Sequence, residues 1–208
     1  MDRSSEIIKR INKISGSNSP YQVFVDWLKC CALSISQSVL FHAEREEQFK
    51  ETIKKYNAKE FSLLMALLAE TCESGYKDVL GSIYMSSGWG SKSTGQFFTP
   101  YAVSKACAAL QNYDEETIFM NEPAAGAGGM IIAAAETLKE AGKDYHKKLK
   151  VIAQDLEWSA LYMCYIQLSL YGIDAKVIQG DTLENKRFSA FDENVFLTPM
   201  YFLNGGSW

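Results

Sequence analysis

The 208-residue sequence has few of the side chains that hold metal ions or act in hydrolytic triads. It contains two histidines, His42 and His146, and five scattered cysteines, none of which forms a CxxC pair. Zinc sites are built from cysteine and histidine at short, characteristic spacings. We therefore expect no metal site and no hydrolytic triad, and we expect the cysteines to fill the core in a reducing compartment.

Long apolar runs and an excess of basic residues are also missing. No apolar run reaches the length needed to span a membrane, and residues 1–14 lack the apolar stretch of a signal peptide. The formal net charge is −4, whereas a domain that grips DNA unaided usually presents a basic face. These absences predict a cytoplasmic protein that has no membrane segment and does not bind DNA strongly by itself.

The hydrophobic pattern changes near residue 95. Before that point apolar residues recur at helical spacing, which predicts helices over residues 4–85 followed by a linker at 86–95. Beyond it, four short apolar segments alternate with helical patterns at 129–141 and 157–171. The four segments, read as strands, are 117–120, 151–153, 175–178 and 195–197.

The alternation of strands and helices has a direct consequence for the fold. It predicts parallel βαβ units and a doubly wound sheet, that is, an α/β fold. We therefore predict two domains, a helical N-terminal domain at 1–88 and an α/β domain at 89–208.

A glycine-rich turn follows the first predicted strand. The segment EPAAGAGG, from Glu122 to Gly129, lets the backbone approach a ligand at the start of a helix. Ile131 stands where a dinucleotide fingerprint needs its third glycine, and no Gly-Lys-Ser/Thr follows. An acidic residue before the turn suits a ligand with a positively charged amino acid end. On this segment alone, an ordinary strand-to-helix turn is an equal alternative.

Two further carboxylates follow the second and third predicted strands. Asp155 can accept hydrogen bonds from both hydroxyls of a ribose, and Asp181 would lie where an adenine edge is read. Each carboxylate alone is more often a helix cap. Because the carboxyl ends of parallel strands meet in one crevice, the three acidic residues together favour a nucleoside site.

The segment GQFFTP occupies residues 95–100. Taken alone, Thr99 and Pro100 are an ordinary helix start. However, GQFFTP, EPAAGAGG and GDTL, in this order and spacing, resemble the motifs of adenine-specific DNA methyltransferases. The resemblance is to the modification subunits of type I restriction–modification systems, and it covers most of the chain from about residue 58 onward.

This resemblance implies a Rossmann-like methyltransferase sheet, shortened after its fourth strand, behind a helical N-terminal domain. It implies S-adenosylmethionine as cofactor and adenine in DNA as substrate. It also implies that DNA is recognised through a separate specificity subunit or domain, and it is compatible with a homo- or hetero-oligomer. The cofactor-binding residues that it implies are Phe97, Thr99, Pro100, Glu122, Ala124, Gly126, Gly128, Asp155 and Asp181.

The segment after the fourth predicted strand departs from the family. There the family has Asn or Asp, two prolines and an aromatic residue that stacks on a flipped base, whereas this chain has TPMY at 198–201. The resemblance implies Thr198, Pro199 and Tyr201 as catalytic residues, but a threonine hydroxyl is a weaker acceptor than an asparagine carbonyl. Two alternatives stay open: a catalytically impaired cofactor-binding or interaction protein, and methylation of RNA or a small molecule.

Overall fold

The computed structural model describes residues 2–89, 97–184 and 186–208. Five helices form its N-terminal part: α1 (Ser4–Ser15), α2 (Pro20–Val39), α3 (Ala43–Ile53), α4 (Ala58–Glu73) and α5 (Val79–Ser87). The second part contains α6 (Tyr101–Ala109), β1 (Ile118–Glu122), α7 (Gly129–Glu140), α8 (Tyr145–Lys148), β2 (Leu149–Asp155), α9 (Trp158–Leu170), β3 (Asp174–Gln179), β4 (Val195–Leu197) and α10 (Pro199–Leu203). The helices and strands predicted from the hydrophobic pattern are confirmed.

Local sequence signals explain where several helices begin and end. The Asn57 side chain accepts a hydrogen bond from Lys59 N and starts α4, and the Asp78 side chain accepts one from Gly81 N and starts α5. Gly88 ends α5 in the left-handed conformation. Of the predicted linker at 86–95, Ser86 and Ser87 belong instead to α5, and residues 90–95 lie outside the described residues.

A mixed sheet forms the centre of the second part. Its strand order is β1-β2-β3-β4, and β1, β2 and β3 are parallel. Helix α9 is buried from Ser159 to Leu168, because it lies between the sheet and the N-terminal helices. No helix within the described ranges combines the length and apolarity that a membrane span requires.

The α/β class is confirmed, and β1, β2 and β3 form the predicted parallel units, but the fourth strand does not join them. Strand β4 runs antiparallel beside β3, with Val177 opposite Phe196. Arg45 of α3 explains this position, because its Nη2 donates hydrogen bonds to Glu193 O at 2.9 Å and Val195 O at 2.6 Å. Its guanidinium also lies 3.8 Å from the centre of the Phe196 ring. The N-terminal helices therefore hold β4 against β3.

The two predicted domains share their core. One cluster of buried apolar side chains contains Trp27 and Leu80 of the N-terminal helices together with Tyr165 and Val177 of the second part. Gln167 of α9 adds a polar connection, since its Oε1 accepts a hydrogen bond from Leu80 N at 3.0 Å. The division at residue 88 thus stays a prediction.

Candidate functional site

A cavity of about 220 Å³ lies beside the glycine-rich turn, at the side of the sheet where the parallel strands β1 and β2 end. This side is called the carboxyl edge, and the side where the parallel strands begin is called the amino edge. Five of the predicted cofactor-binding residues line it. They are Phe97, Thr99, Ala124, Gly126 and Asp155. Asp78, Phe98, Ser104, Ala125, Ala127, Gly129 and Met130 complete the lining. Two of the three motifs, FFTP of the first and the glycine-rich turn, therefore meet around one cavity together with Asp155, whereas GDTL contributes no lining residue.

The glycine-rich turn needs its glycines for two physical reasons. Gly126 and Gly128 have φ values of 55° and 92°, which side chains rarely adopt. A Cβ on Gly126 would also lie 2.8 Å from Cδ1 of Phe98, and one on Gly128 would lie 3.2 Å from Sγ of Cys164. Gly126 thus lets the turn contact the ring of Phe98, and Gly128 lets the turn pack against α9.

Asp155 fixes the shape of the turn. Its Oδ2 accepts a hydrogen bond from Gly126 N at 2.8 Å, and its Oδ1 accepts one from Glu157 N at 3.0 Å. The same carboxylate therefore holds the glycine-rich turn and the start of α9 while it lines the cavity. A carboxylate offers about four acceptor sites, so these two bonds leave room for ligand hydroxyls.

The other two predicted carboxylates lie outside the cavity wall. Glu122 lines a neighbouring cavity near the free edge of β1, and burial raises its pKa. Asp181 is exposed, and its Oδ1 accepts a hydrogen bond from Leu183 N at 2.9 Å. The next residue, Thr182, donates to Pro123 O at 2.7 Å and so ties the turn after β3 to the glycine-rich turn.

The FFTP segment forms one wall of the cavity. Phe98 packs on Tyr84, with ring centres 5.1 Å apart, whereas Phe97 is 84% exposed at the cavity mouth. Pro100 precedes α6 and, like Gly128, does not line the cavity. Gly95 and Gln96, which begin the motif, lie outside the described residues.

Sequence reasoning missed three residues around the cavity. Asp78 and Ser104 line it, and Gln167 lies behind it, where its Nε2 donates to Asp78 Oδ1 at 2.9 Å and to Ala127 O at 2.7 Å. Gln167 thus connects the N-terminal helices to the glycine-rich turn. For Gln167, the available signal was an amide side chain in a helix whose other residues are apolar or aromatic apart from two serines.

The structure does not bring Thr198, Pro199 and Tyr201 to the cavity. Because β4 is antiparallel, its end lies at the amino edge of the sheet, roughly 15 Å along β3 from the carboxyl edge. There Thr198 Oγ1 donates to Ile173 O at 2.7 Å and accepts from Ala175 N at 3.0 Å. Tyr201 is buried, and its hydroxyl donates to Gly206 O at 2.7 Å. In this arrangement the three residues lie at the opposite edge of the sheet from the cavity, and the side chains of Thr198 and Tyr201 bond within the fold.

The structural comparisons define the class of fold. The chain is similar to a candidate class I S-adenosylmethionine-dependent methyltransferase from Listeria monocytogenes, with 11% identity and a TM-score of 0.50, over 89% of this chain and 55% of that one. It is also similar to the type I restriction–modification methyltransferase subunit of Streptococcus thermophilus, with 18% identity and a TM-score of 0.45, over 91% of this chain and 41% of that one. The chain spans about half the length of these proteins. The first similarity shows a methyltransferase fold.

The sequence comparison supplies the family. The profile of the N-6 DNA Methylase family matches residues 75–200, which is more than half of the chain. No curated protein matches it significantly. The chain therefore belongs to the N-6 DNA Methylase family, which confirms the resemblance drawn from its motifs.

Proposed function

We propose that this chain binds S-adenosylmethionine in the cavity beside the glycine-rich turn and serves methyl transfer to the exocyclic amine of adenine in DNA. The observation that carries the proposal is the meeting of FFTP, the glycine-rich turn and Asp155 around one cavity. The family match supports the reaction class. The methyl group would be supplied by the bound cofactor.

The chemistry of the cavity fits this cofactor. Asp155 offers acceptors for ribose hydroxyls, and the aromatic wall offers a face for a purine ring. The start of α7 presents backbone N–H groups that suit a carboxylate. Ser104 Oγ is buried and has no hydrogen-bond partner among the described residues, so the cavity contains an unused polar group.

DNA is proposed as the substrate because of the family match, and we expect a partner to recognise the target sequence. The net charge of −4 gives this chain no general attraction to phosphates, so target recognition would fall to a separate specificity subunit or domain. The five cysteines are free, which fits the reducing cytoplasm in which such an assembly would work.

A second candidate function is favoured by the position of Thr198. A catalytic acceptor must lie within hydrogen-bonding reach of the target amine, and Thr198 is fully buried at the far edge of the sheet. A cofactor-binding protein that transfers no methyl group by itself would have this arrangement. The two candidates share the cavity and differ in the reaction.

The cavity is tested by calorimetric titration of the purified chain with S-adenosylmethionine. We expect saturable binding that is lost in Asp155→Ala and kept in Asp114→Ala, because Asp114 is an exposed residue paired with Lys143. No binding by the folded wild-type protein would refute the proposal.

The reaction is tested separately with a labelled methyl donor and DNA. Label on the adenine N6 of DNA supports methyl transfer, and the signal should depend on Asp155. Cofactor binding without any transfer, both alone and with a specificity subunit, would establish the second candidate.

A further inference from the structure

Two buried polar side chains lie together at the back of the cavity. Asp78 precedes α5 and is 4% exposed, and Ser104 belongs to α6 and is 0% exposed. Both lie beside the first residue of α7, since a Cβ built on Gly129 would lie 3.4 Å from Asp78 Oδ2 and 3.6 Å from Ser104 Oγ. A larger residue at position 129 would close this space.

The Asp78 carboxyl is held in one orientation. Gly81 N donates to its Oδ1 at 2.8 Å, and Gln167 Nε2 donates to the same oxygen at 2.9 Å. Both hydrogen bonds that described residues donate to this carboxyl thus reach Oδ1. Oδ2, the oxygen nearer Gly129, keeps its capacity to accept.

No cation in the described part of the chain forms an ion pair with Asp78. The adjacent Lys77 instead pairs with Asp2, at 3.1 Å. Burial raises the pKa of Asp78, which reflects the cost of a carboxylate without a positive partner. Buried carboxylates are normally paired, so a positively charged ligand group would be stabilised beside Asp78.

Ser104 adds the second observation. Its hydroxyl is buried in the cavity wall without a hydrogen-bond partner among the described residues, which is costly for a polar group. A helix cap alone would explain Asp78 but not an unpaired hydroxyl beside it. A ligand group with several N–H donors and a positive charge would satisfy both.

We propose that Asp78 and Ser104 form a binding site for a ligand ammonium group and thereby select ligands that carry an amino acid end. The proposal rests on the proposed function, because the methionine portion of S-adenosylmethionine carries such a group. Its carboxylate would face the N–H groups at the start of α7. Asp78 therefore distinguishes the complete cofactor from its bare nucleoside fragment.

The test compares three ligands by calorimetric titration at pH 7.5. S-adenosylmethionine and S-adenosylhomocysteine both carry the ammonium group, and methylthioadenosine lacks the amino acid end. We expect Asp78→Asn to weaken binding of the first two by about ten- to a hundredfold and to leave methylthioadenosine within about twofold. Ser104→Ala should weaken the same two ligands by about three- to tenfold.

A matched control uses the buried Asp26 in α2. Its carboxyl accepts hydrogen bonds from Tyr56 and Gln22, within the N-terminal helices, so Asp26→Asn should not change any of the three affinities. Equal weakening of all three ligands by Asp78→Asn would overturn the inference and make Asp78 a support of the turn. Unchanged affinities in both Asp78→Asn and Ser104→Ala would overturn it as well.

The two proposals fail in different ways. If the wild-type protein binds none of the three ligands, the proposed function fails and the ammonium site fails with it. If the wild-type protein binds all three with equal affinity, the cavity is a nucleoside site and only the ammonium site fails. If Asp78→Asn does not fold, Ser104→Ala tests the ammonium site instead. This variant should fold, because the hydroxyl that it removes makes no hydrogen bond to the described residues.

Discussion

The two edges of the sheet use their polar groups differently. At the amino edge, Asp174 accepts hydrogen bonds from Lys150 Nζ at 2.5 Å, Asn204 Nδ2 at 2.7 Å and Trp208 Nε1 at 2.9 Å. At the carboxyl edge, Ser104 has no partner among the described residues and Asp78 has no ion-pair partner there. Asp174 is thus engaged within the fold, whereas Ser104 and Asp78 keep hydrogen-bonding capacity that a ligand in the cavity could use.

The largest expected effect concerns the glycine-rich turn. Gly126→Ala places a Cβ against the Phe98 ring and forces a side chain to φ 55°, so we expect affinity for S-adenosylmethionine to fall by about a hundredfold. Calorimetric titration measures the affinity.

Gly142 provides a matched control for this prediction. It has a φ of 72°, and a Cβ there would meet nothing within 4 Å. Gly142→Ala should therefore lower the free energy of unfolding by about 1–2 kcal/mol and leave the affinity unchanged. Equal affinities in the two variants would show that the turn does not contact the ligand.

The next effect concerns the attachment of β4, which Arg45 holds at its first residues. Arg45→Met removes the hydrogen bonds to Glu193 O and Val195 O, so we expect the free energy of unfolding to fall by about 2–3 kcal/mol. Ligand affinity should stay within about twofold, because β4 lies away from the cavity. Urea denaturation measures the stability.

Arg3→Met is the control for Arg45. Its partners Glu6 and Glu70 are half-buried and exposed, respectively, and surface pairs contribute at most about 1 kcal/mol. A large loss of affinity in Arg45→Met would contradict the separation of β4 from the cavity.

A smaller effect is expected at Thr198. Thr198→Val removes its buried hydrogen bonds, which should lower the free energy of unfolding by about 1–2 kcal/mol without changing ligand affinity. The double substitution Thr198→Asn with Met200→Pro restores the family's segment, but we expect no gain in methyl transfer. A gain in the labelled-methyl assay would mean that this segment reaches the cavity.

The smallest effect is a pH dependence of stability at Asp78. Burial raises the pKa of the Asp78 carboxyl in the folded protein above its value in the unfolded chain. The contribution of Asp78 to stability is therefore greatest below about pH 4 and is lost as pH rises through the folded-state pKa. Asp78→Asn cannot ionise, so it lacks this loss of stability, and its amide oxygen can still accept the hydrogen bond from Gly81 N.

We therefore expect Asp78→Asn to gain stability relative to the wild-type protein as pH rises from 4 to 8. Thermal denaturation at several pH values in the absence of ligand measures this trend. A gain in stability combined with weaker ligand binding separates the functional role of Asp78 from a structural one. A stability difference that does not change with pH would contradict the assignment.

Local signals in the sequence predicted much of the cavity edge. Strand periodicity located β1, β2 and β3, and the rule that parallel strands share a carboxyl edge placed Asp155 beside the glycine-rich turn. The direction of β4 was not predictable in this way. It depends on Arg45, which is about 150 residues away in sequence and has no local signature.

The two polar residues at the back of the cavity, Asp78 and Ser104, could not be predicted from the sequence either. Asp78 has the local pattern of a helix cap, and Ser104 is one small polar residue in a helix. Only the packing of α5, α6 and α7 brings them together beside Gly129. Long-range packing therefore decided which polar residues face the cavity and which support the fold.

Hydrogen–deuterium exchange with and without S-adenosylmethionine tests the central claim most directly, because it reports both edges in one experiment. We predict slower exchange at residues 78–81, 104–107 and 124–130, with no change at 174–176 and 196–203. Protection of 196–203 with an unaffected glycine-rich turn would contradict the account, since it would place the ligand at the amino edge of the sheet.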